Sequence, residues 1–350
     1  AISPMTDMRK KNGREKPWEV KYWGLGNESW GCGGSMTPEY YADIMRHFST
    51  YARNFGSNRL YKIASGANTD DYDWTETLIK NPRNWHMMNA MGLHYYTVAH
   101  DWSKKGSAIE FDENDWFLSI SKTLRMNELI TKHTTIMDKY DPDKNIDLLV
   151  DEWGNWHDVE PETNPGFLYQ QNTLRDALVA AINLNIFNNH CDRVKMANIA
   201  QTINVLQAMI LTDESEIVMT PSYYVYKMFR AHQDATMLPI KLICANYRYG
   251  DESILAVNAS ASKDKNGIIH ISLTNSDPHN AVELLCELRG AEKYSKVAGE
   301  IITAGKMNAF NDFGKQEDVA IEKFDDFKVK NKILNINVPA KSVVMIELAD

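Results

Sequence analysis

Residues 20–26 read Val20-Lys21-Tyr22-Trp23-Gly24-Leu25-Gly26, and a little further on the chain reads Thr37-Pro38-Glu39. The first stretch is a short apolar run closed by glycine, which predicts a buried strand. The second places a hydroxyl at the N-cap, proline at the first helical position and an acid in the first turn. Tyr41, Ile44, Met45, Phe48, Ala52 and Phe55 then recur at helical spacing. A strand that feeds a helix without a hairpin turn is the first half of a βα unit, and the next strand must run parallel to it.

The alternation repeats along the chain. Residues 60–66 are strand-like, 74–80 form a short helix and 92–98 a β-rich run. A long helix is marked by Phe117, Ile120, Leu124, Ile130, His133, Met137 and Tyr140, and a strand follows at 147–150. Residues 169–188 are helical, 194–201 strand-like and 221–232 a last helix, which makes five βα units up to about residue 235. The opening stretch, 1–17, is polar, punctuated by Pro4, Gly13 and Pro17, and reads as loop. Beyond 235 the character changes: 254–259, 268–275, 281–288, 332–338 and 343–348 are short strands separated by turn-rich segments. The expected fold is therefore α/β, with part of a (β/α)8 TIM barrel over residues 1–235 and an antiparallel β-sandwich over 236–350.

The composition excludes several function classes. With 38 Lys+Arg against 47 Asp+Glu, a net charge of −9 argues against a nucleic-acid grip or a polybasic membrane surface. No run of 18 apolar residues occurs, so no spanning helix is expected. The four cysteines (Cys32, Cys191, Cys244, Cys286) are far apart with no C-x-x-C, and are expected mostly as buried thiols. The ten histidines show no H-E-x-x-H spacing, and no nucleotide-binding glycine motif is present, so neither metal nor cofactor is expected. The first residue is Ala1, which implies a removed leader or a cut chain and leaves the compartment open.

Two acids stand out by position. Glu28 follows the first strand in Gly26-Asn27-Glu28-Ser29-Trp30-Gly31, and Glu152 ends another in Val150-Asp151-Glu152-Trp153-Gly154-Asn155-Trp156. The C-terminal strand ends of a βα barrel form its catalytic face, which would turn both carboxylates to one pocket. Paired carboxyls beside aromatics suit glycoside hydrolysis, where one acid protonates the leaving oxygen and the other attacks or activates water. The plain alternative for any single Glu is a solvated loop acid; the repetition of strand end, Glu, Trp and Gly in two units is what favours chemistry. His94 and Tyr96, two apart, share one face of a third strand, either as strand core or as partners that orient a carboxylate. Gln201 ends the last strand of the alternating region, as a sugar contact or a loop amide. Asp151, beside Glu152, should point to the opposite side of a regular strand and be structural.

These residues carry a resemblance. The segment 21–28 with Trp30-Gly31-Cys32-Gly33-Gly34 and 36–42 resembles the acid/base region of the α-L-arabinofuranosidases of glycoside hydrolase family 51. Asp151-Glu152-Trp153 with Trp156 resembles that family's nucleophile region, and Asn198-Ile199-Ala200-Gln201 with Asn204-Val205 its last barrel strand. The resemblance implies Glu28 as general acid/base and Glu152 as nucleophile of a retaining hydrolase, with carboxyls about 5–5.5 Å apart. It implies Asn27 on the sugar 2-hydroxyl, Tyr96 as positioner of the nucleophile, Trp156 and Gln201 lining the arabinose subsite, and His94 as a further substrate contact. The implied partner is an arabinose-containing oligosaccharide or polysaccharide such as arabinan or arabinoxylan, and the implied assembly a homo-oligomer.

Relatives of that family carry three further βα units ahead of the Asn-Glu strand. The expectation is therefore a C-terminal portion, completed by a missing N-terminal segment or a second chain, with an open sheet edge. Other readings are a different retaining barrel glycosidase, such as an endo-glucanase or β-xylosidase, and a non-catalytic carbohydrate-binding or assembly fragment.

Overall fold

The computed structural model describes residues 2–289, 294, 296–330 and 333–350. Its elements run α1 (Pro4–Lys11), β1 (Tyr22–Leu25), α2 (Pro38–Tyr51), β2 (Tyr61–Asn68), α3 (Tyr72–Ile79), α4 (Pro82–Trp85), β3 (Ala90–Thr97), α5 (Glu113–Tyr140), β4 (Asp147–Asn155), α6 (Leu174–Asn189) and β5 (Val194–Ile199). A hairpin of β6 (Ile210–Asp213) and β7 (Glu216–Met219) precedes α7 (Pro221–Phe229). Strands β1 to β5 form one sheet in chain order, and β1 pairs with β2 in parallel, Tyr22 opposite Tyr61 and Leu25 opposite Ala64. Among the described residues no helix is long and apolar enough to cross a membrane.

The helix starts follow from side-chain chemistry. Ser3, Thr37 and Thr220 each precede proline, and each accepts a backbone N–H of the first turn that would otherwise lack a partner. At α6 the device is reciprocal: Thr173 caps the helix while Asp176 accepts from the Thr173 N–H at 2.7 Å. Helix α1 corrects the expected opening loop. Ser3-Pro4 carries the same start signal as Thr37-Pro38, but α1 buries no residue, so no apolar stripe announces it. The β6–β7 hairpin is a second correction to an alternation expected without tight turns. Its turn, Glu214-Ser215, puts a non-glycine at φ +48° where Asn-Gly would have been recognisable.

The antiparallel part comprises β8 (Thr236–Leu238), β9 (Asn246–Tyr249), β10 (Glu252–Leu255), β11 (Val257–Lys263), β12 (Ile269–Asn275), β13 (Val282–Glu287), β14 (Lys296–Ile302), β15 (Glu322–Lys323), β16 (Phe327–Lys330), β17 (Ile333–Val338) and β18 (Ser342–Ala349). One sheet has the order β15-β14-β18-β12-β11-β8, a second β13-β17-β16, and β9 pairs with β10. The strand expected at 254–259 is split at Ala256, whose backbone bonds to Ala245 and Ser276 as the chain passes from the β9–β10 hairpin into the larger sheet. Lys332, which begins the strand expected at 332–338, lies outside the described residues. In β17 alternate residues Leu334, Ile336 and Val338 are buried, the period that lets one face pack while the other meets water.

By packing, the chain divides into two compact units, Ala1–Leu93 with Thr135–Leu148, and His94–Thr134 with Leu149–Asp350. In the first unit, β1 corrects the buried strand expected at 20–26: it ends its sheet, and Tyr22 and Trp23, with Trp18 and Val20 just ahead of it, are all 47–61% accessible. There, too, Gly66 of β2 lies so close to Gly92 of β3 that a Cβ would sit 1.6 Å from the Gly92 carbonyl oxygen, so only glycine fits. In the second unit, α6 is buried nearly all round and packs on α7, β5, β11, β12 and β18. Its Asn185 accepts from Ser260 at 2.8 Å and Ser272 at 2.6 Å, and Asn188 and Asn189 donate to Ser260 and the Ala259 carbonyl. A polar seam thus joins this helix to the antiparallel sheet.

Candidate active site

In the first unit, β1 delivers Asn27 and Glu28 two and three residues past Leu25, with Asn27 exposed and Glu28 half-buried. Glu28 has φ +43°, a left-handed conformation that costs a non-glycine residue roughly 1–3 kcal/mol. The loop beyond it supplies the compensation. The N–H groups of Gly31 and Gly33 donate to the Glu28 carbonyl at 2.8 and 3.0 Å, folding the chain back under the acid. A Cβ on Gly33 would lie 1.7 Å from the Asn27 carbonyl oxygen, so the fold-back demands glycine there. Trp30 donates its indole N–H to the Gly66 carbonyl at 3.2 Å, and the Cys32 thiol donates to Glu28 Oε2 at 3.2 Å. The four cysteines are not the buried thiols expected of their residue type: Cys32 is exposed on this loop and the others are half-buried.

In the second unit, His94 and Tyr96 do share a face of β3, and both reach Glu152 of β4. Tyr96 donates to Glu152 Oε1 at 2.5 Å, and His94 Nδ1 lies 3.4 Å from Oε2. The other imidazole nitrogen lies 3.3 Å from Asp151, which corrects the expectation that Asp151 turns away. Alternation lapses at this pair: the Asp151 and Glu152 side chains are both about a quarter exposed, 28% and 26%. Because the two nitrogens of an imidazole face different ways, one buried ring meets both neighbours. The Trp156 N–H donates to the Thr97 carbonyl at 3.0 Å and fixes the end of β4 against β3. Its ring lies edge-on to Tyr96 at 4.8 Å and to Trp102 at 5.4 Å, forming an aromatic corner beside the carboxylate.

Gln201 is exposed and donates its backbone N–H to the Val205 carbonyl at 3.0 Å. Its neighbour Ala200 packs with Tyr96, Val98 and Leu206 in a buried cluster that Trp156 and Val205 cover. The structure therefore brings His94, Tyr96, Glu152 and Trp156 into direct contact, with Gln201 at the margin of the same cluster. Within the first unit, Glu28 is met by the Gly31 and Gly33 N–H groups and the Cys32 thiol.

Beneath the Glu152 segment lies a buried polar network. Asp176 Oδ1 accepts from the Asn155 amide at 2.8 Å and lies 3.3 Å from His157 Nε2. Gln207 accepts from the Asn155 N–H at 2.7 Å and donates to the Asp176 carbonyl at 2.7 Å. Arg175 donates to the Ser107 and Ala108 carbonyls, and its guanidinium lies 3.7 Å over the Phe111 ring. Burial, reinforced by the Arg175 charge, pushes the His157 pKa down and favours the neutral ring. Burial alone would raise the Asp176 pKa, but His157, Arg175 and the Thr173 N–H together outweigh it and hold the carboxyl below its usual range. The network ties the residues just after Glu152 to the start of α6.

Several residues of the site were not singled out from the sequence: Trp102, Cys32, and Asp151 as a His94 partner. Trp102 sits at the tip of a turn whose Asp101 carboxylate accepts from Ser103 and Lys104 N–H groups, outside any strand, where no periodicity marks it.

Residues 1–114 match the family described as "Alpha-L-arabinofuranosidase 1 domain", and residues 151–342 match "Alpha-L-arabinofuranosidase C-terminal domain". An "Intracellular exo-alpha-L-arabinofuranosidase" from Bacteroides ovatus is 53% identical over 348 residues, covering 99% of this chain and 67% of that protein. The chain belongs to the α-L-arabinofuranosidases, glycosidases of glycoside hydrolase family 51. Within the family, the solved GH51 arabinofuranosidase from Xanthomonas axonopodis pv. citri superposes with a TM-score of 0.96 at 45% identity, covering 100% of this chain and 70% of that one. The chain thus spans about two thirds of the length of these arabinofuranosidase relatives. The Thermotoga maritima α-L-arabinofuranosidase, at 20% identity and a TM-score of 0.80, shares the fold. A family 44 xyloglucanase from Paenibacillus polymyxa, at 13% identity and 0.64, shares it more distantly. The fold is accordingly a TIM-like βα sheet followed by a sandwich domain, with five strands in the βα sheet among the described residues.

Proposed function

We propose that this chain carries the catalytic carboxyls of a retaining, exo-acting α-L-arabinofuranosidase that removes terminal arabinofuranosyl groups from arabinan- and arabinoxylan-type glycans. The Glu152 carboxylate attacks the anomeric carbon while the protonated Glu28 gives its proton to the departing glycosidic oxygen. That bond breaks and a glycosyl ester on Glu152 forms. Water then opens the ester, its proton going to Glu28, and configuration is retained. Asn27, His94, Trp156 and Gln201 contact the arabinose, and Tyr96 positions the nucleophile. The relative from Bacteroides ovatus, named as exo-acting, supports the exo mode.

The observation that carries this reading is the double engagement of Glu152 by Tyr96 and His94 beside an aromatic corner. A loop acid has no need of two dedicated partners, whereas a nucleophile must be held in one geometry. Release of nitrophenol from the α-L-arabinofuranoside, set against the β-xyloside and β-cellobioside, tests the substrate class. Proton NMR of the first-formed sugar tests retention. Dominant release from either competing glycoside, or inversion at the anomeric centre, would reject the reading. A homo-oligomer belongs to the same proposal, and light scattering on the purified protein tests it.

A further inference from the structure

At the end of β1 a side chain enters the joint with β2. One residue beyond the last register pair, Leu25 with Ala64, the hydroxyl of Tyr41 from α2 stands between the two strands. It donates to the Leu25 carbonyl at 2.8 Å and accepts from the Ser65 N–H at 2.6 Å. The Tyr41 ring is 2% exposed and stacks on Trp74 at 5.4 Å, so the hydroxyl has little freedom to move. Ser65 spends its other polar groups on the same task. Its hydroxyl accepts from the Ser29 N–H at 3.1 Å, and its carbonyl accepts from the Trp74 indole at 3.0 Å. Gly26 closes the arrangement: it has φ +109°, and a Cβ there would meet Ser29, Tyr41 and Ser65 at once.

Glu28 lies between the two points so fixed, Leu25 on one side and Ser29 on the other. Its own backbone is in the left-handed region and would relax if either anchor were released. We propose that Tyr41 and Ser65 are positioning residues for proton transfer by Glu28. The Tyr41 hydroxyl wedges the strand ends apart, the Ser65 hydroxyl pins the chain beyond the acid, and together they set where the Glu28 carboxyl stands. The inference rests on the reading of Glu28 as the acid/base.

Leaving-group dependence separates this role from a merely structural one. Aryl α-L-arabinofuranosides with good leaving groups, such as 2,4-dinitrophenol, need little protonation, whereas phenol itself needs a well-placed acid. A displaced general acid costs on the order of ten- to a hundredfold on the demanding substrate. Tyr41→Phe keeps the ring stack and removes only the hydroxyl. It should lower kcat/KM on the phenyl glycoside by that amount, with less than about a twofold change on the dinitrophenyl glycoside. Ser65→Ala should show the same steepening, and decides alone if Tyr41→Phe does not fold. Equal losses on both substrates, or none, overturn the inference. Glu28→Ala serves as the reference. If Glu28→Ala shows no steepening, the acid/base reading itself fails; if it does and neither positioning variant does, only the present inference fails.

Discussion

Tyr96 donates its phenolic proton to Oε1 of Glu152 at 2.5 Å. A bond to a charged acceptor is worth roughly 1.5–3 kcal/mol, which corresponds to roughly 10- to 150-fold in rate where it is needed in the transition state. Tyr96→Phe should therefore lower kcat/KM on the nitrophenyl arabinofuranoside within that range and lower the unfolding midpoint by no more than a few degrees. Steady-state kinetics with a parallel thermal melt checks both. Unchanged kinetics would remove Tyr96 from the site.

Cys32 offers a chemical handle on the other carboxyl. Its thiol is exposed and lies 3.2 Å from Glu28 Oε2, but sulfur is a weak donor, so losing the contact should cost little. Cys32→Ser is expected to stay within about threefold of parental activity, under 1 kcal/mol. Alkylation is a different matter, because the added group must occupy the space beside Glu28. Iodoacetamide should inactivate the parent in step with a single added mass, arabinose should slow the loss, and Cys32→Ser should resist.

Asp176 is the one carboxylate that Asn155, His157 and the Thr173 N–H all use, and it neighbours Arg175, whose pKa burial pulls down only to about 10. Arg175 therefore stays charged at neutral pH. Removing the carboxylate charge takes away one of the two anions that favour the buried Arg175 cation, Asp176 and Asp115, and weakens the buried network, a change that costs about 3–5 kcal/mol. Asp176→Asn should lower the unfolding free energy by that order in urea titrations followed by tryptophan fluorescence.

His232 predicts a pH dependence of stability. Its ring lies between Ser262 at 2.8 Å and Ser272 at 3.0 Å, and burial, with a smaller contribution from His270, lowers its pKa from 6.5 to about 4. The unfolded chain takes up the proton first as pH falls, so stability is lost between pH 6.5 and 4 and levels off below. The full loss is roughly 3 kcal/mol. Burial of neutral His157 acts with the same sign. Urea unfolding at pH 7 and pH 4.5 should show the drop, and His232→Gln should remove most of the part that His232 causes.

Much of this was legible in the residues, and the illegible parts have definite causes. Thr37-Pro38 is legible because cap chemistry is local; the apolar run at β1 does mark a strand, but an exposed one at the end of its sheet, which local pattern cannot tell from a buried one. Ser3-Pro4 carries the same cap signal without an apolar stripe, so nothing further in the local pattern separates α1 from a polar loop. Strands β14 to β16 acquire their register only through β18 and β17, which local pattern cannot convey. In the site, period two on β3 placed His94 and Tyr96 together. Asp151 departs from that period because alternation lapses at the very pair that matters. Tyr41 and Ser65 were invisible because their pairing joins a helix to a strand across tertiary space.

Helix α6 has a consequence for how the second unit comes apart. One side of it packs on β5 and α7, and the other is stitched by Asn185, Asn188 and Asn189 to the serines and carbonyls of β11 and β12. Peeling the antiparallel sheet away would strand those amides without partners and bare the helix that carries Asp176. The sheet is thus not a passenger that evolution or an engineer could trim. Unfolding of the second unit should be all-or-none, with calorimetric and van't Hoff enthalpies that agree, and a cut near residue 235 should yield two pieces that do not fold rather than two domains that do.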